Sequence, residues 1–232
     1  MERGLYIAAS GMISEQMRQD AIANDLANAS TPGYKADRVT QATFGDLLLS
    51  NSKTGQAIGP LGMGSYADSM VTNLNPQALR TTDEPLDLAI AGEGWFGVQT
   101  DQGVRYTRNG QFSASPAGVL VDQLGNPVLG PGGQPVQLNA RGEVVPGSVG
   151  VFALANAEKV GDNHFTGAAG GQAEGQVQIG MLEGSGIDPA RTMVDMIASF
   201  RAYEAGQKVI TTIDDTLRRT STMVGNATGG SF

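Results

Sequence analysis

The stretch "SGIDPARTMVDMIASFRAYEAGQKVI", Ser185–Ile210, marks the start of a long C-terminal helix. Asp188 suits the N-cap, and Pro189 suits the first helical position because its fixed φ already matches a helix. Apolar side chains then recur every seven residues, at Met196, Tyr203, Ile210, Leu217 and Val224. This heptad stripe predicts a helix over residues 188–225 that packs against another helix.

The heptad stripe has an apolar companion position only in its first half. Met193 and Phe200 occupy that position, whereas the residues that follow at the same spacing are polar: Gln207, Asp214 and Ser221. The helix therefore either changes partner along its length or has a marginal stripe. A heptad does not identify its partner, so the pattern leaves open whether the helix pairs within its own chain or joins an assembly.

A second helix is predicted at the other end, over residues 3–29, which contain no proline. Its stripe is small and partly polar, so it suits tight packing against other helices better than burial in a core of its own. Gln16 and Gln19 interrupt this stripe, which consists of Leu5, Ala8, Ala9, Met12, Ile22, Ala23 and Leu26. We expect the helix to end in "NASTPGYK", where Pro32 cannot continue it and Gly33 takes a turn conformation.

Between the helices the sequence predicts a compact antiparallel β module over residues 70–187, because 25 of the 33 glycines fall in residues 55–186. Two hairpins are predicted, one in "VRYTRNGQFSAS" with Asn109–Gly110 as its turn and one in "GVLVDQLGNPVLG" with its turn at Leu124–Asn126. Residues 36–69 are expected to be a linker or an extended segment. The fold class is thus α+β, with the terminal helices packing as a coiled coil around an inserted β module.

The stretch "LDLAIAGEGWFGV", Leu86–Val98, spaces Gly92, Gly94 and Gly97 as in a dinucleotide-binding fingerprint. That fingerprint requires a helix directly after the glycines, so that the first amide groups of the helix receive a pyrophosphate. The chain continues instead with strand-like residues, and no acidic residue stands at the distance expected for ribose binding. The spacing is therefore interpreted as a coincidence, and no cofactor is expected.

No constellation of catalytic or metal-binding residues is predicted. His164 is the only histidine and lies in a loop-like stretch, and the chain contains no cysteine. The carboxylate pairs, such as Asp214 and Asp215, are adjacent on a helix and so point about 100° apart. Spaced methionines on helical stripes are ordinary packing residues. We expect no catalytic, cofactor-binding or metal-binding residue, and hence no enzyme.

Charge and hydropathy exclude two further classes of protein. The net charge of -8 argues against nucleic-acid binding, which depends on basic residues that neutralise phosphates. No run of 18 apolar residues is present, so an integral membrane protein is not expected. The N-terminal stretch has mixed charge and only a short apolar run, which predicts that export, if it occurs, uses no cleaved signal peptide.

The terminal sequences closely resemble the signatures of bacterial flagellar rod and hook proteins. "AIANDLANASTPGYKADR", Ala21–Arg38, is similar to the N-terminal signature at Asn24, Leu26, Ala27, Asn28, Thr31, Gly33 and Tyr34. The C-terminal helix resembles the closing signature at Met196, Ile197, Arg201, Ala202, Tyr203, Glu204, Lys208, Val209, Ile210 and Asp214. "LDLAIAGEGWFGV" and the predicted hairpins resemble the central β module of the same axial proteins.

The resemblance implies a structural subunit of the flagellar rod, the drive shaft of the basal body. It implies that the terminal helices, residues 1–35 and 188–225, self-assemble with other axial proteins into a hollow helical tube, with the β module facing outward. The implied partners are further copies, other rod and hook proteins and the type III export apparatus, and the implied location is the periplasm-spanning rod. An accessory envelope protein that docks its helices on a partner is the alternative. The chain is short for a hook subunit, and the proximal and distal rod branches remain open.

Two sets of residues carry these expectations. The helix residues expected to support self-assembly are Leu5, Met12, Ile22, Asn24, Leu26, Asn28, Met193, Met196, Phe200, Tyr203, Ile210 and Leu217. The family's turn motif is expected at Thr31, Gly33 and Tyr34.

Overall fold

The computed structural model describes residues 2–45, 47–50, 57–161 and 163–228, and it has an α+β fold. Within these residues, one helix precedes and one follows fourteen strands in the sequence. In order, the elements are α1 Glu2–Ala27, β1 Asp37–Thr43, β2 Leu47–Ser50, β3 Ala57–Leu61, β4 Ser65–Thr72, β5 Leu79–Thr81, β6 Leu88–Ala91, β7 Trp95–Thr100, β8 Gly103–Thr107, β9 Ser113–Ala114, β10 Leu120–Val121, β11 Val151–Val160, β12 His164–Gln172, β13 Gln176–Ile179, β14 Met181–Glu183 and α2 Pro189–Thr228.

The chain divides into two compact units. The first, the helical unit, comprises Met1–Asn24, Asp37–Val71 and Ala190–Phe232. The second, the β unit, comprises Asp25–Ala36 and Thr72–Pro189. The turn motif that follows α1 therefore belongs to the β unit.

In the helical unit, α1 and α2 run antiparallel and contact each other through small residues. A Cβ atom added at Gly4 would lie 3.5 Å from Cδ1 of Ile213, and one added at Gly206 would lie 2.8 Å from Cγ of Met12. Ser199 Oγ donates a 2.6 Å hydrogen bond to a carboxylate oxygen of Glu15. Residues nearer the C-terminus of α1 therefore contact residues nearer the N-terminus of α2. The absence of a side chain at Gly206 leaves room for the side chain of Met12.

The face of α2 that is turned toward α1 repeats at alternating intervals of four and three residues. Its partly or fully buried positions are Thr192, Met196, Ser199, Tyr203, Gly206, Ile210 and Ile213. Three members of the heptad stripe therefore lie on this face, with Ser199, Gly206 and Ile213 as companions. Met193 and Phe200 instead remain about half exposed. The side chain of Val224 lies outside the described part of the chain.

Four strands, β1 to β4, lie in the described residues between 36 and 72. β1 pairs with β4, and β2 pairs antiparallel with β3. The rings of Phe44 and Tyr66 pack 4.9 Å apart, centroid to centroid. Within residues 37–45, 47–50 and 57–72, the strands thus pair with one another.

The β unit is built around a closed barrel of the strands β11, β12, β8 and β7, with the pairs β6–β13, β5–β14 and β9–β10 beside it. Its main core consists of buried aliphatic and aromatic side chains from these strands and their loops: Leu88, Ile90, Phe96, Val98, Phe112, Leu120, Val128, Val136, Val144, Val149 and Val151. A second cluster packs Trp95, Tyr106 and Phe165 together. Together the two clusters give the β unit a core of its own.

One of the two predicted hairpins is confirmed. The amide of Val128 donates to the carbonyl of Leu120, and that of Asp122 donates to Asn126, so the chain turns back at Leu124–Asn126 as expected. The hairpin around Asn109–Gly110 was wrong. β8 pairs with β7 and β12, while β9 pairs with β10, because Gly110 packs against the backbone of Leu88 and leads the chain away from β8.

The glycines of the stretch Leu86–Val98 serve close packing of strands. Strand β7, not a helix, follows Gly94, so the rejection of a dinucleotide site from the sequence is consistent with the fold. Gly94 has a φ of 130°, and a Cβ there would lie 2.3 Å from Cγ1 of Val151. A Cβ at Gly97 would lie 2.8 Å from the ring of Phe152. These glycines let β11 approach β7.

Candidate functional site

The turn motif after α1 is held tightly against the β unit. Gly33 has a φ of 66°, and a Cβ at this position would lie 2.3 Å from the backbone carbonyl of Arg108. The Gly33 amide donates to the carbonyl of Glu183 at 3.0 Å, and the Gly186 amide donates to the carbonyl of Tyr34 at 2.8 Å. Both the left-handed φ and the close approach require glycine at position 33.

The neighbours of Gly33 are also fixed by specific contacts. Tyr34 is fully buried, and its hydroxyl donates a 2.9 Å hydrogen bond to Oδ1 of Asp25. The ammonium of Lys159 lies 4.0 Å from the centroid of the Tyr34 ring. Thr31 Oγ1 donates to Oδ1 of Asn28 at 3.1 Å. The motif Thr31, Gly33 and Tyr34 therefore anchors the segment after α1 within the β unit.

A buried ion cluster lies directly beside this turn. One carboxylate oxygen of Glu183 lies 2.7 Å from Nζ of Lys35, and the other lies 3.0 Å from Nη1 of Arg108. All three side chains are at most 3% exposed. The cluster joins three distant parts of the chain: the turn after α1, the end of β8 and the end of β14.

Further hydrogen bonds satisfy the charges of this cluster. Lys35 Nζ donates to the carbonyl of Asn75 at 2.7 Å, and the Gln77 amide donates to Glu183 Oε1 at 2.8 Å. Arg108 Nη2 donates to the carbonyl of Gly92 at 2.8 Å, and its guanidinium lies 5.5 Å from the Trp95 ring. Burial lowers the pKa of Lys35, and the nearby Glu183 carboxylate only partly opposes that effect. Two cations thus depend on one carboxylate.

Sequence reasoning missed this cluster. Lys35 and Glu183 are 148 positions apart, and Arg108 lies 75 positions before Glu183. No spacing rule connects charges at such separations. The available signal was that Lys35 directly follows the turn motif and that Glu183 interrupts the apolar run at β14.

The single histidine, His164, lies beside the turn at residues 122–126. Nε2 of His164 lies 3.6 Å from Oδ2 of Asp122, whose Oδ1 accepts hydrogen bonds from the amides of Leu124 and Asn126. Burial alone would raise the pKa of Asp122, but hydrogen bonds from His164 and Asn126 outweigh it and lower that pKa. Across residues 2–45, 47–50, 57–161 and 163–228, no group of three or more acidic or histidine side chains could hold a metal ion.

The helix residues expected to support self-assembly fall into two groups. Most are partly buried: Leu5, Met12, Ile22, Leu26, Asn28, Met196, Tyr203 and Ile210. The others are exposed: Asn24, Met193, Phe200 and Leu217. The partly buried positions on α2 lie on its face toward α1.

Both helices also expose large apolar side chains that sequence reasoning did not single out. On α1, Tyr6 is 73% exposed, and Ile13 and Met17 lie on the same side of the helix. On α2, Ile197 lies between Met193 and Phe200 and is also exposed. Within the described residues, no helix is both long and apolar enough to cross a membrane.

Three family models match successive parts of the chain. Residues 5–35 match the model described as "Flagella basal body rod protein". Residues 89–160 match "Flagellar hook protein FlgE/F/G D1 domain", and residues 178–223 match "Flagellar basal body rod FlgEFG protein C-terminal". The first of these covers α1 and the turn motif, and the last covers β14 and most of α2.

Relatives match over nearly the whole chain. The flagellar basal-body rod protein FlgG of Caulobacter vibrioides is 34% identical over 261 residues, covering 94% of this chain and 98% of the relative. The flagellar basal-body rod protein FlgF of Salmonella typhimurium is 33% identical over 251 residues, covering 93% and 95%. The FlgG protein of Bacillus subtilis is 30% identical over 260 residues, covering 94% and 97%. With its two helices, its β unit and its turn motif in the matching order, the chain belongs to the family of flagellar basal-body rod proteins.

Proposed function

We propose that this chain is a non-enzymatic structural subunit that assembles with further copies and with other axial proteins into the hollow helical tube of the flagellar rod. The observation that carries the proposal is the exposed apolar surface on both helices, formed by Tyr6, Ile13 and Met17 on α1 and by Met193, Ile197 and Phe200 on α2. Family membership supports the rod as the location. Export through the flagellar apparatus and a position across the periplasm are part of the same proposal.

The helix pair supports assembly because each helix carries exposed apolar side chains in addition to those on its face toward the other helix. The face of α2 toward α1 includes the small residues Ser199 and Gly206, and Met193, Ile197 and Phe200 remain exposed. A second apolar face then remains in water, where its exposure is unfavourable by about 25 cal/mol per Å². Contacts with neighbouring copies would remove this surface from water. The four-and-three spacing on the face of α2 toward α1 supports coiled-coil packing of the two terminal helices.

The terminal helices and the β unit are assigned different roles because they differ in how much apolar surface they expose. We propose that the terminal helices carry the assembly contacts and that residues 70–187 form the module that faces outward. The β unit supports this assignment because it has its own core and its own buried ion cluster, and thus needs no neighbour to fold. Contacts in an open tube join different faces of successive copies.

The proposal is tested by placing a charge on the exposed face of α2. Phe200→Asp is introduced as the only copy of the gene in the host bacterium, with Ala198→Asp as the matched control on an exposed position of the same helix. Burying an unpaired carboxylate between subunits is strongly unfavourable. We therefore expect loss of swimming and absence of the chain from purified basal bodies with Phe200→Asp, and normal swimming with Ala198→Asp.

Quantitation of the chain in wild-type basal bodies separates the proposal from its alternative. Several copies per basal body, together with a motile Ala198→Asp strain, support a tube subunit. A chain that is present but not built into the rod supports an accessory protein that docks its helices on a partner. Normal swimming with Phe200→Asp would contradict both versions, since each requires this face to be covered.

A further inference from the structure

The β unit contains the C-terminal end of α1 and the first residue of α2. Its segment Asp25–Ala36 includes the last residues of α1, and its segment Thr72–Pro189 ends where α2 begins. We call residues 25–36 and 183–189 together the helix clamp. Each helix therefore has one end inside a unit with an apolar core of its own.

The hydrogen bonds at the end of α1 are completed inside the helix clamp. The last carbonyl groups of a helix lack partners within the helix itself. Here the amide of Asn28 donates to the carbonyl of Asp25 at 3.0 Å. The carbonyl of Asn28 accepts hydrogen bonds from the Thr31 amide at 3.1 Å and from Ser185 Oγ at 3.0 Å. Residues of the β unit thus close the last turn of α1.

Asp25 indicates that this last turn relies on the β unit. A carboxylate near a helix C-terminus is unfavourable, because that end of the helix dipole is negative. Asp25 is nevertheless only 7% exposed, and the hydroxyl of Tyr34 donates to its Oδ1 at 2.9 Å. Tyr34 is itself fully buried. Its hydroxyl therefore offsets a charge that would otherwise oppose the helix.

The segment just before α2 is fixed in the same way. The Gly184 amide donates to the carbonyl of Ala78 at 3.0 Å, and the Gly186 amide donates to the carbonyl of Tyr34 at 2.8 Å. Pro189, whose fixed φ favours the first helical position, follows three residues later. The backbone thus enters α2 from a segment that is already held in place.

The parts of the helices outside the helix clamp have few buried side chains. Among residues 3–24 of α1, only Ser14 and Ala21 are buried. Among the described side chains at positions 190–223 of α2, only Ser199 is buried. Since most helical stability in proteins comes from packing, these parts have little to hold them in place along their length.

Starting a helix is its least favourable step. Forming the first turn carries a penalty of about a thousandfold in the equilibrium constant, whereas each further residue adds one hydrogen bond to an existing turn. The helix clamp fixes the last turn of α1 and the approach to the first turn of α2. Lengthening a helix from the clamp is therefore more favourable than starting it at any other point.

We propose that the helix clamp keeps one end of each helix formed in the single chain, and that α1 grows from it toward its N-terminus and α2 toward its C-terminus. This order of helix formation is a property of the single chain. Its use in assembly rests on the proposed function, because neighbouring copies would then stabilise helices that have already started.

Hydrogen exchange of the purified full-length chain tests the direction of growth. We expect the protection factors to be highest beside the helix clamp and to fall at least about tenfold toward Glu2 and toward Thr228. Arg201→Gly and Arg219→Gly form a matched pair, because each removes an exposed arginine from α2 and lowers helix propensity equally. Arg201→Gly is expected to speed exchange about three- to fivefold from position 201 to the end of α2. Arg219→Gly is expected to do so only beyond position 219.

Removal of one hydroxyl tests the helix clamp itself. Tyr34→Phe keeps the buried ring but leaves Asp25 without the hydroxyl, so exchange along α1 is expected to become about tenfold faster. Strands β11 and β12 are expected to keep their protection. Tyr6→Phe, which removes an exposed hydroxyl from α1, is the control and is expected to exchange as wild type.

Three results would overturn the proposal. The first is equal protection along the whole of each helix, with the two arginine variants acting only on their own turns. The second is a protected helix clamp beside unprotected residues 2–24 and 190–228, since the clamp would then start no helix. The third is equal exchange of α1 in Tyr34→Phe and Tyr6→Phe. None of these results bears on the rod proposal, which is tested separately by the presence of the chain in basal bodies.

Discussion

The helical unit and the β unit satisfy their side chains in different ways. In the β unit, the apolar residues form two buried clusters, and even the charges of Lys35, Arg108 and Glu183 are paired out of water. In the helical unit, α1 and α2 contact each other through glycine and serine, and large apolar side chains remain exposed. The two units therefore differ in where their apolar surface lies: the β unit buries it in clusters of its own, whereas the helices leave part of it exposed to water.

The largest expected effect removes the negative charge on which the β unit depends. Glu183→Gln leaves Lys35 and Arg108 buried without a counter-charge, which is expected to lower the free energy of unfolding of the β unit by about 3–5 kcal/mol. Denaturant unfolding, followed by the fluorescence of Trp95, measures it. The matched control Glu174→Gln changes an exposed carboxylate and is expected to stay within about 0.5 kcal/mol of wild type. Equal stabilities for the two variants would contradict the stated role of the cluster.

An intermediate effect is expected from forcing the helices apart. Gly206→Leu inserts a side chain where Met12 lies against the glycine, and overpacking of this kind costs about 1–3 kcal/mol. Hydrogen exchange on the monomer is expected to show faster exchange in α1 and α2 and unchanged protection in β11 and β12. Gly11→Leu is the control, because a Cβ there meets no atom within 4 Å. Loss of protection in the barrel with Gly206→Leu would show that the units are not independently stable.

The smallest expected effect is the pH dependence of the stability that Asp122 gives to the β unit. The pKa of Asp122 is lowered in the fold, so its contribution to stability is present above the unfolded pKa, about 3.9, and is lost as pH falls through the lower folded pKa. Asp122→Asn is therefore expected to reduce the stability of the β unit at pH 7 by about 1 kcal/mol. The difference from wild type should shrink below pH ~4. Asp101→Asn serves as the control, and a difference that grew on acidification would contradict the assigned contacts.

The sequence predicted the features that depend on residues close together in the chain. Both helices were predicted from spacing and punctuation, with bounds within three residues of those observed, because Pro32, Gly33 and Pro189 are strong local signals. The Asn109–Gly110 hairpin failed because turn chemistry fixes a bend but not the strand with which the chain then pairs. The actual partners of β8 are β7 and β12, and the pairing with β12 places Tyr106 opposite Phe165.

The candidate site was predicted less completely. The turn motif was found because its residues are consecutive, and the resemblance identified the family that the comparisons confirmed. Which face of α2 meets α1 could not be derived, because Ser199 and Gly206 carry no hydrophobic signal although they form the closest contacts. The stripe residues Met196, Tyr203 and Ile210 lie on the face toward α1, and a hydrophobic pattern could not identify the small residues Ser199 and Gly206 beside them.

The ion cluster also has a consequence for the order of folding. During synthesis, Lys35 and Arg108 are both made well before the carboxylate of Glu183, which follows Lys35 by 148 positions. Contacts of such long sequence separation form late and slow the folding of the domains that depend on them. Until Glu183 has been made, Lys35 and Arg108 lack the carboxylate that pairs with both of them. Folding of the β unit is therefore expected to follow the synthesis of β14.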